Sequence, residues 1–360
     1  MIKYSIDEFT MIFLPVHGDV DIEKWHVRFN DLALQVADVL RFKDIGFDRA
    51  LDGQVPRPYN FGYFYGNAYT CISYHNMIPT MGICLKFSAS GLREYFLKYK
   101  NYFGKSTDVT EIIKLLSKSI NNYLCRLSRI DLDVDLIDEK LSVNELAVGL
   151  NNKSIIIKDK RNYKNKSGIN TIVNNGVTNT IYIGSKGSKS RKFSRIYNKK
   201  LEQLNNASPA YYSLAKSCKD WVRIELVLKQ ELAHQMTDLL INSHVDDLPG
   251  LIAKLISDNL RFWRGNTELD FSRKIFANAT NNCGELLAIS SRNYNLEKSY
   301  EYYLHGTSGL QSFLYKLRNV YGEKSVIKFL QEVYQYQITD FKPSIDLKKW
   351  VNYYQKNDLH

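Results

Sequence analysis

The 360-residue sequence predicts a mixed α and β fold, with strands gathered in its middle, helices packed on them, and a helical part from Lys229 onward. Three observations carry this. Apolar and polar residues alternate over Leu127–Leu136, Thr180–Gly184, Lys192–Asn198 and Trp221–Leu228, the period of a half-buried strand. Helical spacing separates them at Val143–Leu150 and Ala210–Ser217. Beyond Lys229 the apolar residues recur in stripes, first Leu310, Phe313, Leu314, Leu317 and Tyr321, then Val326, Phe329, Leu330 and Val333.

The N-terminal elements follow from the same patterns. Phe9–Pro15 reads as a strand, and Asp21–Leu40 as an amphipathic helix with Trp25, Phe29, Leu32 and Val36 on one face. Pro56–His75, rich in aromatics and glycine, reads as a hairpin region. Gly82–Ser88 is a short apolar strand, and helices are expected near Leu92–Tyr99 and Val109–Leu124. The least ordered stretches are expected at Lys158–Lys166 and Ser185–Ser190, both polar and rich in lysine, glycine or asparagine.

Composition excludes several classes. Hydrophobic residues at 44% and charged residues at 24% are those of a globular chain, not a disordered or collagenous one. No run approaches the ~18 apolar residues of a membrane span, and the first residues lack the apolar core of a signal peptide. Five cysteines, far apart and without CxxC, form neither a disulfide framework nor a zinc knuckle; a reducing cytoplasm is expected. The seven histidines show no HxH or HExxH spacing. GSKGSKS (Gly184–Ser190) is no Walker A loop, because Lys189 stands at its second glycine position.

The charge is localised. The chain carries +11, yet between Asn151 and Lys200 thirteen basic residues face one acid, Asp159, so that block alone carries +12 and the remainder −1. Tyr163, Tyr182, Phe193 and Tyr197 interleave with these cations. A basic field of this kind binds a phosphate backbone, since each neutralised phosphate releases counterions. Nucleic acid is therefore the expected partner, ahead of a solvated surface or an acidic membrane.

Three strands each divide into two faces. In RIDLDVDL, Ile130, Leu132, Val134 and Leu136 oppose Arg129, Asp131, Asp133 and Asp135. In WVRIELVL, Arg223 and Glu225 lie with Trp221 and Val227 opposite the apolar Val222, Ile224, Leu226 and Leu228. In KFSRIYNK, Arg195, Tyr197 and Lys199 share a face with Phe193. If the three belong to one sheet, its polar side gathers acids, arginines and a tyrosine. Aspartates two residues apart sit ~6–7 Å apart, so one ion reaches one of them plus a carboxylate from a neighbouring strand. Such hard oxygen donors suit Mg²⁺ or Mn²⁺. Tyr197 is flanked by Arg195, Lys199 and Lys200. A phenol titrates near ~10, so attack on phosphate at neutral pH needs such positive charge or a metal nearby.

The ordered set SRIDLDVD (Ser128–Asp135), TIYIGS (Thr180–Ser185), FSRIYNKKLEQ (Phe193–Gln203) and WVRIELVLK (Trp221–Lys229) resembles the Rep_trans family, the replication initiators of staphylococcal-type rolling-circle plasmids and related relaxases of integrative conjugative elements. MGICLKFSASGLR (Met81–Arg93) looks like the strand and turn of its longer members. The resemblance implies an α+β fold with a central, mainly antiparallel sheet of rolling-circle nickase type lacking the paired histidines, with flanking helices and a helical C-terminal region. It implies Tyr197 as nucleophile, leaving a 5′-phosphotyrosyl link and a free 3′-hydroxyl. Asp131 and Glu225 would be the carboxylates on Mg²⁺ or Mn²⁺, with Asp133, where many relatives carry a small residue, as a third candidate. Arg195 and Lys199 carry over as DNA contacts, and Lys200, Arg191, Lys192, Lys186, Lys189 and Arg223 extend that set. Lys189 stands where relatives often have Asp or Asn.

The expected division is 1–105, an N-terminal α/β region with a DNA-binding or accessory role; 106–232, the nickase core; and 233–360, a helical region for specificity or oligomerisation. The function expected is rolling-circle replication initiation at an origin, presented as a single strand or extruded hairpin. The alternatives are a conjugative relaxase of the same chemistry and a non-catalytic DNA-binding regulator. A host superfamily-one helicase and a second copy of the chain are expected partners, and no membrane.

Overall fold

The computed structural model describes residues 1–15, 25–50, 54–67, 69–78, 81–120, 122–159, 168–187, 190–206, 209–242, 247–280, 286, 303–304, 309–343, 348 and 351. The chain builds its main sheet in two passes. The first runs β1 (Ile2–Pro15), α1 (Trp25–Val39), β2 (Arg49–Ala50), β3 (Phe61–Tyr65), β4 (Thr70–Tyr74), β5 (Ile83–Phe87), α2 (Ala89–Phe103) and α3 (Val109–Ser119). The second runs β6 (Tyr123–Ile137), α4 (Val143–Asn151), β7 (Ile156–Lys158), β8 (Ile169–Asn174), β9 (Val177–Ile183), β10 (Lys192–Asn198), α5 (Lys199–Asn206), α6 (Pro209–Ser217), β11 (Trp221–Lys229) and α7 (Glu231–Asn242). The ten-stranded order is β2-β3-β4-β5-β1-β6-β11-β10-β9-β8, and each pairing among the described residues is antiparallel. This is the α+β architecture expected.

One face of the sheet is apolar because the strands alternate. Phe9, Met11 and Phe13 of β1, Leu85 and Phe87 of β5, Ile130, Leu132 and Val134 of β6, and Ile224 and Leu226 of β11 are buried together. They pack under Phe29, Leu32 and Val36 of α1, Ile112 and Leu116 of α3, and Met236 and Leu240 of α7. Gly82 opens β5 with φ +63, where a Cβ would lie 2.1 Å from the Phe13 carbonyl oxygen; only glycine fits this close approach.

After α7 come α8 (Leu248–Asn259), β12 (Arg261–Arg264), β13 (Thr267–Glu268) and α9 (Asp270–Ala277). The strands correct the expectation of a purely helical region after Lys229. A Gly265 turn at φ +57 and a bidentate Arg261–Glu268 pair close a hairpin too short to show a period of two, and β12 adds β7 to make a three-stranded sheet. The helix from Val109 stops at Ser119, and Tyr123 and Leu124 join β6. Of the stretch Lys158–Lys166, residues 160–166 lie outside the described residues, as do 21–24 of the first helix.

Met1–Leu286 forms one compact unit and Leu287–His360 a second. The second contains α10 (Gly309–Tyr321) and α11 (Glu323–Thr339), turned about Gly322 at φ +82 with Phe313 edge-on to Phe329. Among the described residues no helix is long and apolar enough to cross a membrane.

Candidate active site

The opposite face of the main sheet is polar, and the strand register fixes who meets whom. Glu225 on β11 stands opposite Asp133 on β6 and Arg195 on β10; Arg223 stands opposite Asp135 and Tyr197; Glu8 on β1 stands opposite Asp131. An open pocket of about 780 Å³ lies on this face. Asp131, Glu225, Tyr197, Arg195, Lys199 and Lys186 all line it, so the register brings six of the expected site residues together.

Tyr197 is 6% exposed, and its hydroxyl donates to Glu225 Oε1 at 2.7 Å. Arg195 donates to Glu225 Oε2 at 2.9 and 2.6 Å and lies over the Tyr197 ring at 4.6 Å. Lys199, in the first turn of α5, is buried with its ammonium 3.3 Å from the Tyr197 hydroxyl and 2.5 Å from Glu202. Burial and then the Glu225 charge raise the Tyr197 phenol well above its ordinary value of 10.0, with Arg223 and Arg195 pulling the other way. Burial also lifts Glu225 above its ordinary value, against Arg195 and the tyrosine hydrogen bond. A neutral phenol of this kind attacks poorly until its proton leaves, and here a carboxylate and cations stand beside it.

The acids are paired. Arg129 forks onto Asp131 at 2.8 and 2.7 Å and reaches Glu8 at 3.3 Å. Burial raises the Asp131 carboxyl, opposed by that guanidinium. Among the described residues no three His, Cys, Asp or Glu side chains converge into a ready-made metal cluster. The donor chemistry nonetheless suits a hard cation: Asp131 and Glu225 are buried oxygen donors, and Glu8 Oε1, 3.3 Å from Arg129 and 3.8 Å from Lys86, adds a carboxylate oxygen to the same pocket.

Other expected residues are placed differently. Asp133 is wholly buried outside the pocket lining; it accepts from Ser5 at 2.8 Å, meets Arg223 at 3.3 Å, and burial raises its carboxyl well above normal. Arg223, expected on DNA, is buried instead, forked onto Asp135 at 2.8 and 2.7 Å and 3.1 Å from Asp7. The acid row needs a cation inside the protein, and Arg223 supplies it. Lys200 is likewise turned away, donating to the Cys218 and Lys219 carbonyls at the end of α6. Lys192 donates to Asn259, and Arg191 lies outside the pocket lining. Lys189 falls outside the described residues.

Asp7, Glu8, Ser90 and Arg93 also line the pocket and escaped the sequence reading. A bulge between Ile6 and Glu8 on β1 explains the acids: the extra residue breaks the alternation, so consecutive Asp7 and Glu8 reach the same pocket. Two adjacent acids in an otherwise alternating strand were the available signal.

Comparisons with known proteins bear on the fold and the family. A solved structure, the rolling circle replication initiator protein from Geobacillus stearothermophilus, is similar over 77% of this chain and 96% of its own, with a TM-score of 0.51 and 18% sequence identity, a likeness of fold. No curated protein sequence matches significantly. The family model for Rep_trans, replication initiation factor, matches residues 125–330, the span that holds β10, β11 and most of β6, with Asp131, Tyr197 and Glu225. With more than half of its length matched, the chain belongs to the replication initiation factor family.

Proposed function

We propose that the protein initiates rolling-circle replication by nicking and rejoining one DNA strand through Tyr197. The observation that carries this reading is the Tyr197 hydroxyl held 2.7 Å from a Glu225 oxygen, with Arg195 and Lys199 beside it in an open pocket. In the forward step the Tyr197 oxygen bonds to phosphorus, the bond from phosphorus to the 3′-oxygen breaks, and Glu225 takes the phenolic proton. The departing 3′-oxygen takes a proton from water. Arg195, Arg129 and Lys199 hold the phosphate oxygens as charge builds. Reversal of the same steps rejoins the strand.

Asp131 and Glu225, joined by Glu8, would hold Mg²⁺ or Mn²⁺. Bound there through oxygens other than Glu225 Oε1, which faces the phenol, the ion would polarise the scissile phosphate. Asp133 then acts from beneath, fixing Arg223 and Ser5 rather than ligating.

The test is a covalent-adduct assay with supercoiled DNA of the host element and labelled single strands tiled across it. The native chain should give an SDS-resistant protein–DNA band with Mg²⁺ or Mn²⁺, lost with EDTA, and Tyr197→Phe should give none while still binding. Binding without adduct by the native chain would favour a non-catalytic regulator.

A further inference from the structure

Within the pocket, the polar face of the sheet turns apolar along one row. In the row that runs Glu8, Asp131, Val227, Phe193 across four neighbouring strands, the last two are apolar, and both line the pocket. Phosphate chemistry has no use for an apolar floor. Next to it, Tyr182 on β9 stands opposite Arg195 and also lines the pocket. The pocket is thus acidic toward Asp7, Glu8 and Asp131 and aromatic toward Tyr182 and Phe193, with Tyr197 and Glu225 between.

Each of these rings has a cation against it. The Lys186 ammonium is 3.3 Å from the centre of the Tyr182 ring, and the Lys229 ammonium 5.5 Å from that of Phe193. Lys229 also donates to the Lys186 and Gly187 carbonyls at 3.2 and 2.9 Å, which ties the basic loop after β9 to the end of β11. Half-exposed rings, an apolar floor and fixed cations together are what single-stranded DNA uses: bases stack on the rings and phosphates meet the ammonium groups. A volume of about 780 Å³ leaves room beyond one phosphate group.

We infer that Tyr182, Phe193 and Val227 form a base-stacking subsite that grips the unpaired nucleotide adjoining the scissile phosphate, with Lys186 and Lys229 on its flanking phosphates. This rests on the reading of Tyr197 as the nucleophile, and it adds a reason for a single-stranded substrate: a base inside a duplex cannot reach an aromatic wall. It also assigns a positioning role to residues that take no part in the chemistry.

The experiment combines protein and DNA changes on one labelled single strand containing the nick site. Abasic substitutions are walked along the strand, and binding and adduct formation are measured with the native chain, Tyr182→Leu and Phe193→Leu. An abasic residue at one position beside the nick should weaken native binding roughly 10-fold, within the range of base–aromatic stacking. Each variant should bind the intact strand roughly 10-fold more weakly and lose little more on the abasic one, while adduct still forms at saturating DNA. The abasic series on the native chain needs no folded variant. Equal loss at every position, or variants that still show the full abasic penalty, would overturn the subsite while native adduct formation leaves the nickase reading standing. No adduct from the native chain on any strand would overturn both.

Discussion

The two halves of the main sheet are built alike and equipped differently. Each has a long central strand, β1 or β6, followed by a helix and a meander whose last strand, β5 or β11, returns to pair with it. Both bury an apolar face under helices. On the other face the β4–β5 half carries Cys71, Ser73 and Cys84, and burial pushes the two thiols up to about 12 and about 11. These stay neutral. The β10–β11 half carries Arg195, Tyr197, Arg223 and Glu225 against the β6 acids. One scaffold therefore supports either a quiet polar layer or a charged centre, and what differs is whether buried charges face opposite charges across the strands. The first half still contributes Asp7 and Glu8, through one bulge.

The comparison can be broken most strongly at Glu225. Glu225→Gln removes the proton acceptor and the partner of Arg195, and should lower cleavage by about 10²- to 10⁴-fold, whereas Cys84→Ala in the other half should leave cleavage unchanged; single-turnover adduct formation measures both. Arg223→Ala leaves Asp133 and Asp135 buried without their cation, so urea denaturation should show a loss of about 3–5 kcal/mol. Glu8→Gln tests the first half's contribution: its Oε1 lies against the Arg129–Asp131 pair, and cleavage should fall about 10- to 100-fold with single-strand binding retained.

Much of this was legible in the sequence. The alternation in RIDLDVDL, KFSRIYNK and WVRIELVL separates the apolar face from the polar one, and the observed register sets Glu225 beside Arg195 and Tyr197. What could not be read depends on pairing. Arg223 has the same pattern as a surface cation, and only its position opposite Asp135 turns it inward. Asp7 and Glu8 defy a period of two because β1 bulges there, and Lys200 points to the end of α6, a contact between elements that local pattern does not encode.

The smallest effect expected concerns the helix beneath the charged half. Burial, with Arg126 adding to it, lowers His234 from 6.5 to about 3. The unfolded chain gains that proton near 6.5 and the native chain only near 3, so its contribution is whole above pH 6.5 and is lost as pH falls toward 3. His234→Gln should flatten that part of the stability–pH curve, read from thermal unfolding between pH 7 and pH 4.

The central claim is that, of 25 tyrosines, the one held by Glu225 forms the bond to DNA. Tryptic digestion of the purified adduct, nuclease trimming and mass spectrometry test it directly. The phosphonucleotide should sit on the peptide Ile196–Lys199, released by cleavage after Arg195 and Lys199. A nucleotide on any other tyrosine peptide would contradict the account.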